Sequence, residues 1–232
     1  MITKNDSICI PVTDDEIKSV MEKAREQLFI SKRDNLRNRH ANIQYDCILR
    51  GYIGEYAITK WMNKQGVFFD QSNYRADGEN IDVDFLYKGK NIELKTSLIP
   101  DTDSTLENAI ANRDIKLIKR EEEIDSLRGD IHLQIFFDQR RLAKDEWLAS
   151  RIIDIEGAGI DELFDKMLAR CYRNTAYFVA WIDKPTLINN IKGLDAGEQT
   201  WSFKNSQREF WNCKVIHSNK PLELADYLKV LL

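Results

Sequence analysis

The stretch Asp84-Phe85-Leu86-Tyr87-Lys88-Gly89-Lys90-Asn91-Ile92-Glu93-Leu94-Lys95-Thr96 carries the decisive pattern of this 232-residue chain. Polar and apolar residues alternate in its two arms, Ile81-Asp82-Val83-Asp84-Phe85 and Ile92-Glu93-Leu94-Lys95, as they do in half-buried strands. Lys88-Gly89-Lys90 between them reads as a tight hairpin turn. With Lys88-Gly89 as the two-residue turn, Asp84 lies opposite Glu93 and Asp82 opposite Lys95. With Gly89-Lys90 as the turn, Asp84 lies opposite Lys95. Directly opposed residues share a face, so both registers put Asp82, Asp84, Glu93 and Lys95 together and leave Ile81, Val83, Phe85, Ile92 and Leu94 to the core.

Acid-x-lysine triplets occur at Glu16–Lys18, Glu93–Lys95 and Asp114–Lys116. The first and last fall in segments read as helical, where positions i and i+2 face apart. Only the Glu93 triplet falls on a strand, where they share a face. Adjacent carboxylates repel, and a hard divalent cation with oxygen ligands removes that cost. A lysine beside such an ion orients the attacking water or holds a phosphate oxygen. A hairpin with a solvated polar face gives the same pattern.

The Asp84–Thr96 stretch resembles the core of the PD-(D/E)XK nuclease superfamily, which includes type II restriction endonucleases, mismatch-repair nicking enzymes and phage nucleases. The resemblance spans roughly residues 43 to 138. Val83 stands where the family name has a proline. The implied fold is α/β of the α+β kind: a restriction-endonuclease-like mixed central β-sheet flanked by helices.

The implied activity is Mg²⁺-dependent hydrolysis of DNA phosphodiesters, with Mn²⁺ as a possible substitute, as in a type II restriction enzyme. The products implied are 5′-phosphate and 3′-hydroxyl ends. Asp84 and Glu93, with the Leu94 carbonyl, take the metal, and Asp82 competes with Asp84 for that role. Lys95 positions and deprotonates the water. Glu55, on a helix before the hairpin, shares a face with Ile48, Gly51, Ile58 and Met62 and is expected to point inward as a further carboxylate. A palindromic duplex site calls for a twofold homodimer. A phage or repair nuclease acting on structure or nicks, and a non-catalytic DNA-binding module with a vestigial metal site, share these features.

Outside this core the sequence sets bounds. Hydrophobic residues are 43% and charged residues 31%, a balance that supports a packed core. The net charge of −4 makes the whole chain no basic nucleic-acid binder, although charge can be segregated by face. Cys9, Cys47, Cys171 and Cys213 are scattered and form no zinc pattern with His40, His132 and His217. Reduced thiols and the lack of an apolar leader or spanning segment suggest a cytoplasmic chain with no membrane contact. No phosphate-loop motif calls for ATP.

The chain reads as a single nuclease domain: a helical arm over 1–42, a catalytic core over 43–138 and an α/β extension over 139–232. Thr13 to Glu16 reads as a capping box, opening a helix that carries Ile17, Met21 and Ala24. A second helix is expected from about Ile43 to Lys64, ending at Gly66. A third is expected from Ser104 to about Leu127, with Arg113, Lys116 and Arg120 on one side of it. Strands are expected at Ile131–Phe137, Thr175–Ile182 and near Trp201 and Val215, with a closing helix from Pro221 to Leu231. The candidate phosphate contacts are Lys32, Arg33 and Arg37, in a basic run ending at His40, together with Arg113, Lys116 and Arg120. Gln134, on the face of His132, is a candidate lining residue of the cleft.

Overall fold

The computed structural model describes residues 1–30, 39–71, 83–120, 123–168, 175–203 and 208–231. The β-hairpin forms where the alternation demands it. Lys88 and Gly89 both have positive φ, 46° and 74°. That is the two-residue turn whose twist matches its flanking strands, and it fixes Tyr87 opposite Lys90 and Phe85 opposite Ile92. The first of the two expected registers is therefore the one adopted. The strands are β3 (Phe85–Tyr87) and β4 (Lys90–Ile99).

The hairpin sits inside a six-stranded mixed sheet of order β1-β6-β5-β4-β3-β2, completed by β1 (Ile8–Pro11), β2 (Asp70–Gln71), β5 (Ile131–Arg140) and β6 (Thr175–Asp183). β4 and β5 are parallel and every other neighbouring pair is antiparallel. A parallel pair needs a long crossover; here it runs over 100–130 and contains α3 (Leu106–Asn112). A separate two-stranded ribbon joins β7 (Thr200–Ser202) to β8 (Glu209–Trp211).

Helices cover both faces. α1 (Asp14–Ile30) and α2 (Ala41–Lys64) pack with Ile92, Leu94, Leu133 and Ile135 in one core. The other core joins Phe136 and Ile182 to Ile110 of α3 and to Leu187 and Ile191 of α6 (Lys184–Lys192). α4 (Arg141–Ala149), α5 (Ile160–Leu168) and α7 (Glu223–Val230) complete the seven α-helices among the described residues. Each large side chain removed from water, such as Phe85 or Ile92 at 0% exposure, contributes on the order of 2 kcal/mol.

The expected α+β architecture, a mixed sheet flanked by helices, is what the chain adopts. The capping box before α1 is present: Glu16 N–H donates to Thr13 Oγ1 at 3.2 Å and Thr13 N–H to Glu16 Oε2 at 2.8 Å. α2 ends before Gly66, whose φ of 75° stops the helix.

Three expectations are corrected. Residues 1–30, expected as part of a helical arm, are built into the fold, because β1 pairs with β6 and α1 buries Ile17, Met21 and Ala24 in the main core. The third helix stops at Asn112 instead of running to Leu127. Beyond it the chain is extended and lies antiparallel to 209–215, with Ile115 N–H on Cys213 O and Trp211 N–H on Leu117 O. Ile115 and Leu117, two apart, are both buried, which is a strand period and not a helical one. Finally, the strand expected near Val215 is β8, and Val215 itself begins a short 3-10 turn.

No helix among the described residues is long and apolar enough to cross a membrane.

Candidate active site

β4 delivers two of the expected side chains to one place. The Lys95 ammonium pairs with Glu93 Oε1, as strand parity requires. Asp84 enters from the other arm. Its N–H donates to Ile92 O at 2.9 Å, and its Oδ2 accepts from Leu94 N–H at 2.6 Å. The Asp84 carboxylate is thus fixed to the peptide that separates Glu93 from Lys95. Asp82, the competing aspartate, lies outside the described residues.

Glu93 is only 4% exposed, and its second oxygen, Oε2, lies 2.8 Å from His132 Nδ1. The parallel register explains that contact, because Glu93 pairs with His132 and Lys95 with Gln134 across β4 and β5. Burial alone raises the pKa of a carboxyl group. Here Lys95 and His132 overcome that effect and hold Glu93 down at about 2, so it is an anion at neutral pH. An anionic carboxylate only accepts, so the imidazole must donate its Nδ1–H. Gly129 makes room for the ring; a Cβ there would stand 2.5 Å from His132 Cε1. Sequence reasoning offered His132 with Gln134 as lining of the cleft and did not connect it with Glu93. The signal was its match to Glu93 in register, which becomes visible only once β4 and β5 are known to be parallel.

Gln134 does not line a cleft. It is fully buried, and its amide donates to Ile135 O at 2.7 Å. This removes it from the DNA-contact candidates. The reason is that β5 is an interior strand between β4 and β6, and the face it shares with Phe136 and Ala180 packs against α3 and α6, so it is not an edge-strand surface.

Glu55 Oε1 is buried, as expected of an inward-pointing carboxylate on α2. α2 approaches β4 through Gly54, where a Cβ would stand 2.4 Å from Thr96 Cγ2 and 3.4 Å from Leu94 Cδ2. Leu94 and Thr96 project from the face opposite Glu93 and Lys95. Glu55, half-buried and next to Gly54, therefore rides on the helix that covers the far face of the sheet.

Among the described residues no group of three or more histidine, cysteine, aspartate or glutamate side chains converges as a ready metal cage. Two carboxylates do flank Leu94. Mg²⁺ needs no more, since it keeps several waters and is commonly held by one or two carboxylates. Hard oxygens beside an ammonium are the right donor chemistry for that ion.

The expected phosphate contacts divide three ways. Lys32, Arg33 and Arg37 lie outside the described residues. Arg120 is exposed on the extended segment. Arg113 and Lys116 meet cations that sequence reasoning did not connect with them. Burial, and then Arg141, Arg50, Arg113 and Arg39, press the Lys116 ammonium down to about 8. Those four arginines come from three separate parts of the chain, so nothing local in the sequence marked the cluster.

No family model matches this chain. No curated protein and no solved structure matches it either.

Proposed function

We propose that the chain is a magnesium-dependent DNA endonuclease of the PD-(D/E)XK kind, in which Asp84, Glu93 and Lys95 form the catalytic group. The observation that carries this reading is the buried Glu93 anion, clamped by Lys95 on one oxygen and followed at once by the Leu94 peptide that anchors Asp84.

Bound between these carboxylates, Mg²⁺ would supply Lewis acidity and lower the pKa of a coordinated water. The rest is done by the chain. Asp84 and Glu93 offer the hard oxygens from the two facing arms of the hairpin. His132 keeps the Glu93 carboxylate oriented. Lys95, whose side chain is 22% exposed, reaches solvent, and Asp84 is half-buried beside it. Lys95 neutralises a scissile phosphate oxygen or takes the proton of the water aligned for in-line attack. A restriction-type enzyme acting as a twofold dimer on duplex DNA is the specific form of this reading, and a repair or phage nuclease is its alternative.

One observation favours a second reading. Both Glu93 oxygens already have partners within the chain, which a purely structural ion cluster in a non-catalytic DNA-binding protein also provides. Mn²⁺ binding followed by electron paramagnetic resonance separates the two. The nuclease reading expects stoichiometric binding that Glu93→Gln and Asp84→Asn each weaken at least tenfold. Absence of binding by the unaltered chain supports the second reading.

A further inference from the structure

Beyond the carboxylate group, the densest unexplained feature is the set of cations around the C-terminal ends of β4 and β5. Contacts link all but Lys116 into one neighbourhood, and Lys116 follows Arg113 by three residues on the extended segment, its ammonium 5.7 Å from the centre of the Phe203 ring. Arg113 pairs with Asp103 and reaches Thr102 in the loop that leaves β4. In the same loop, Asp101 Oδ2 accepts from Leu142 N–H at 3.0 Å, tying it to the first turn of α4, which holds Arg141. One turn further on, Lys144 meets Asp46 Oδ1 of α2 at 2.6 Å. Arg50 meets Oδ2 of the same carboxylate at 3.3 Å and Cys47 Sγ at 3.3 Å. Arg39 reaches that sulfur at 3.7 Å.

The charges do not cancel. Arg39, Arg50, Arg113, Lys116, Arg141 and Lys144 face three carboxylates: Asp46, Asp103 and, for Arg141, Asp145. Lys116 and Arg39 have no ion-pair partner among the described residues. The cations are also layered. Arg50 forms a floor at 13% side-chain exposure, Arg113 is intermediate at 33%, and Arg141 stands at the lip at 46%. Six cations against three carboxylates leave an excess of positive charge in a chain of net charge −4, which costs electrostatic energy, and an anion relieves it. In open α/β sheets the crevice beyond the carboxyl ends of parallel strands is where ligands bind. Lys95 stands upstream on the same strand, about 13 Å from its end by strand rise.

We propose that Arg39, Arg50, Arg113, Lys116 and Arg141 form a phosphate-binding cradle whose ligand is the phosphodiester backbone of duplex DNA. Guanidinium forks from α2, α4 and the segment after α3 grip phosphate oxygens bidentately, and Lys116 adds a point charge between them. The proposal rests on the nuclease reading for its choice of DNA. Its own content is the assignment of α2 and α4 to the interface.

The test uses the full chain, a fluorescently labelled duplex oligonucleotide and EDTA, so that binding is read without cleavage. The double variant Lys116→Gln/Arg141→Gln should weaken binding roughly tenfold or more and reduce the slope of log affinity against log salt by about two. Lys116→Arg/Arg141→Lys should keep the slope. Lys166→Gln on α5, outside the cluster, should change neither, and thermal melts confirm that each variant is folded. Equal affinity and slope in the double variant overturn the proposal. So does an unaltered chain that ignores duplex DNA. The two readings fail separately. A chain that binds through the cradle yet never cuts removes the nuclease reading alone. A chain that cuts with the double variant unaffected removes the cradle alone.

Discussion

His132 Nδ1 lies 2.8 Å from Glu93 Oε2, and both residues are buried, so the carboxylate is oriented from inside the sheet before Lys95 reaches it from the solvent side. Removing the ring leaves a cavity and a buried anion with one partner fewer. His132→Ala should destabilise the chain by about 2–4 kcal/mol in chemical denaturation. His132→Asn, which keeps a donor, should recover part of that loss; no difference between the two variants would leave packing as the sole contribution of the imidazole.

Glu93 also makes stability depend on acid. Its folded pKa, about 2, lies below the usual 4.5. Its contribution is therefore complete above about pH 4.5 and is lost as pH falls towards 2. The size is on the order of 2–3 kcal/mol. Unfolding free energies measured from pH 5 down to about 2 should fall more steeply for the unaltered chain than for Glu93→Gln. Parallel curves contradict the assignment.

Gly54 is the point where α2 touches β4, and the space is already filled by Thr96. Alanine favours a helix by about 1 kcal/mol over glycine. The collision with a strand side chain outweighs that gain, because overpacking a core costs about 1–3 kcal/mol. Gly54→Ala should lower the melting temperature, and Gly54→Ala/Thr96→Ser should restore much of it.

Much of this was legible beforehand because its causes are local. Alternation across Phe85–Leu94 marked which residues face the core under either register, and the structure selects the Lys88-Gly89 turn. Helix stops and caps at Thr13 and Gly66 could be read directly. What stayed hidden depends on partners distant in sequence. The run 113–119 contains helix-forming residues, but its pairing with 209–215 holds it extended. Gln134 alternates like a surface residue, yet β5 is an interior strand whose Gln134 face packs against helices. Glu55 has the right helical phase, but Gly54 packs α2 against the face that Glu93 does not use. Arg39, Arg50 and Arg141 drew no attention because each sits in an ordinary charged neighbourhood of the chain.

Asp46 is shared by Arg50 and Lys144 and is 2% exposed. Removing one charge of a buried ionic group leaves the others uncompensated, at about 3–5 kcal/mol. Asp46→Asn should therefore destabilise the chain by that order while Asp161→Asn, an exposed partner of Lys18, changes it by less than about 1 kcal/mol. Urea midpoints compare them directly.

Lys116 gives two pH effects of opposite sign. Its folded pKa of about 8 lies below the usual 10.5, and the groups that face it, Arg141, Arg50, Arg113 and Arg39, keep their charge throughout. Between those values the unfolded chain holds more protons, so the folding contribution of Lys116 rises with pH. Duplex binding should instead fall as pH rises through 8, because the ammonium that meets phosphate is lost. Lys116→Arg should flatten the binding profile, since a guanidinium stays charged. A profile that is identical in both proteins contradicts the role given to Lys116.

The most direct test of the central claim is single-turnover cleavage of supercoiled plasmid in Mg²⁺ by the unaltered chain and by Lys95→Ala, with fragment ends identified by ligation. The account predicts cutting to 5′-phosphate and 3′-hydroxyl ends by the first. It predicts a loss of at least about 100-fold in the second, which still folds and binds the duplex. Cleavage by Lys95→Ala at the unaltered rate, or none by the unaltered chain in Mg²⁺ or Mn²⁺, contradicts it.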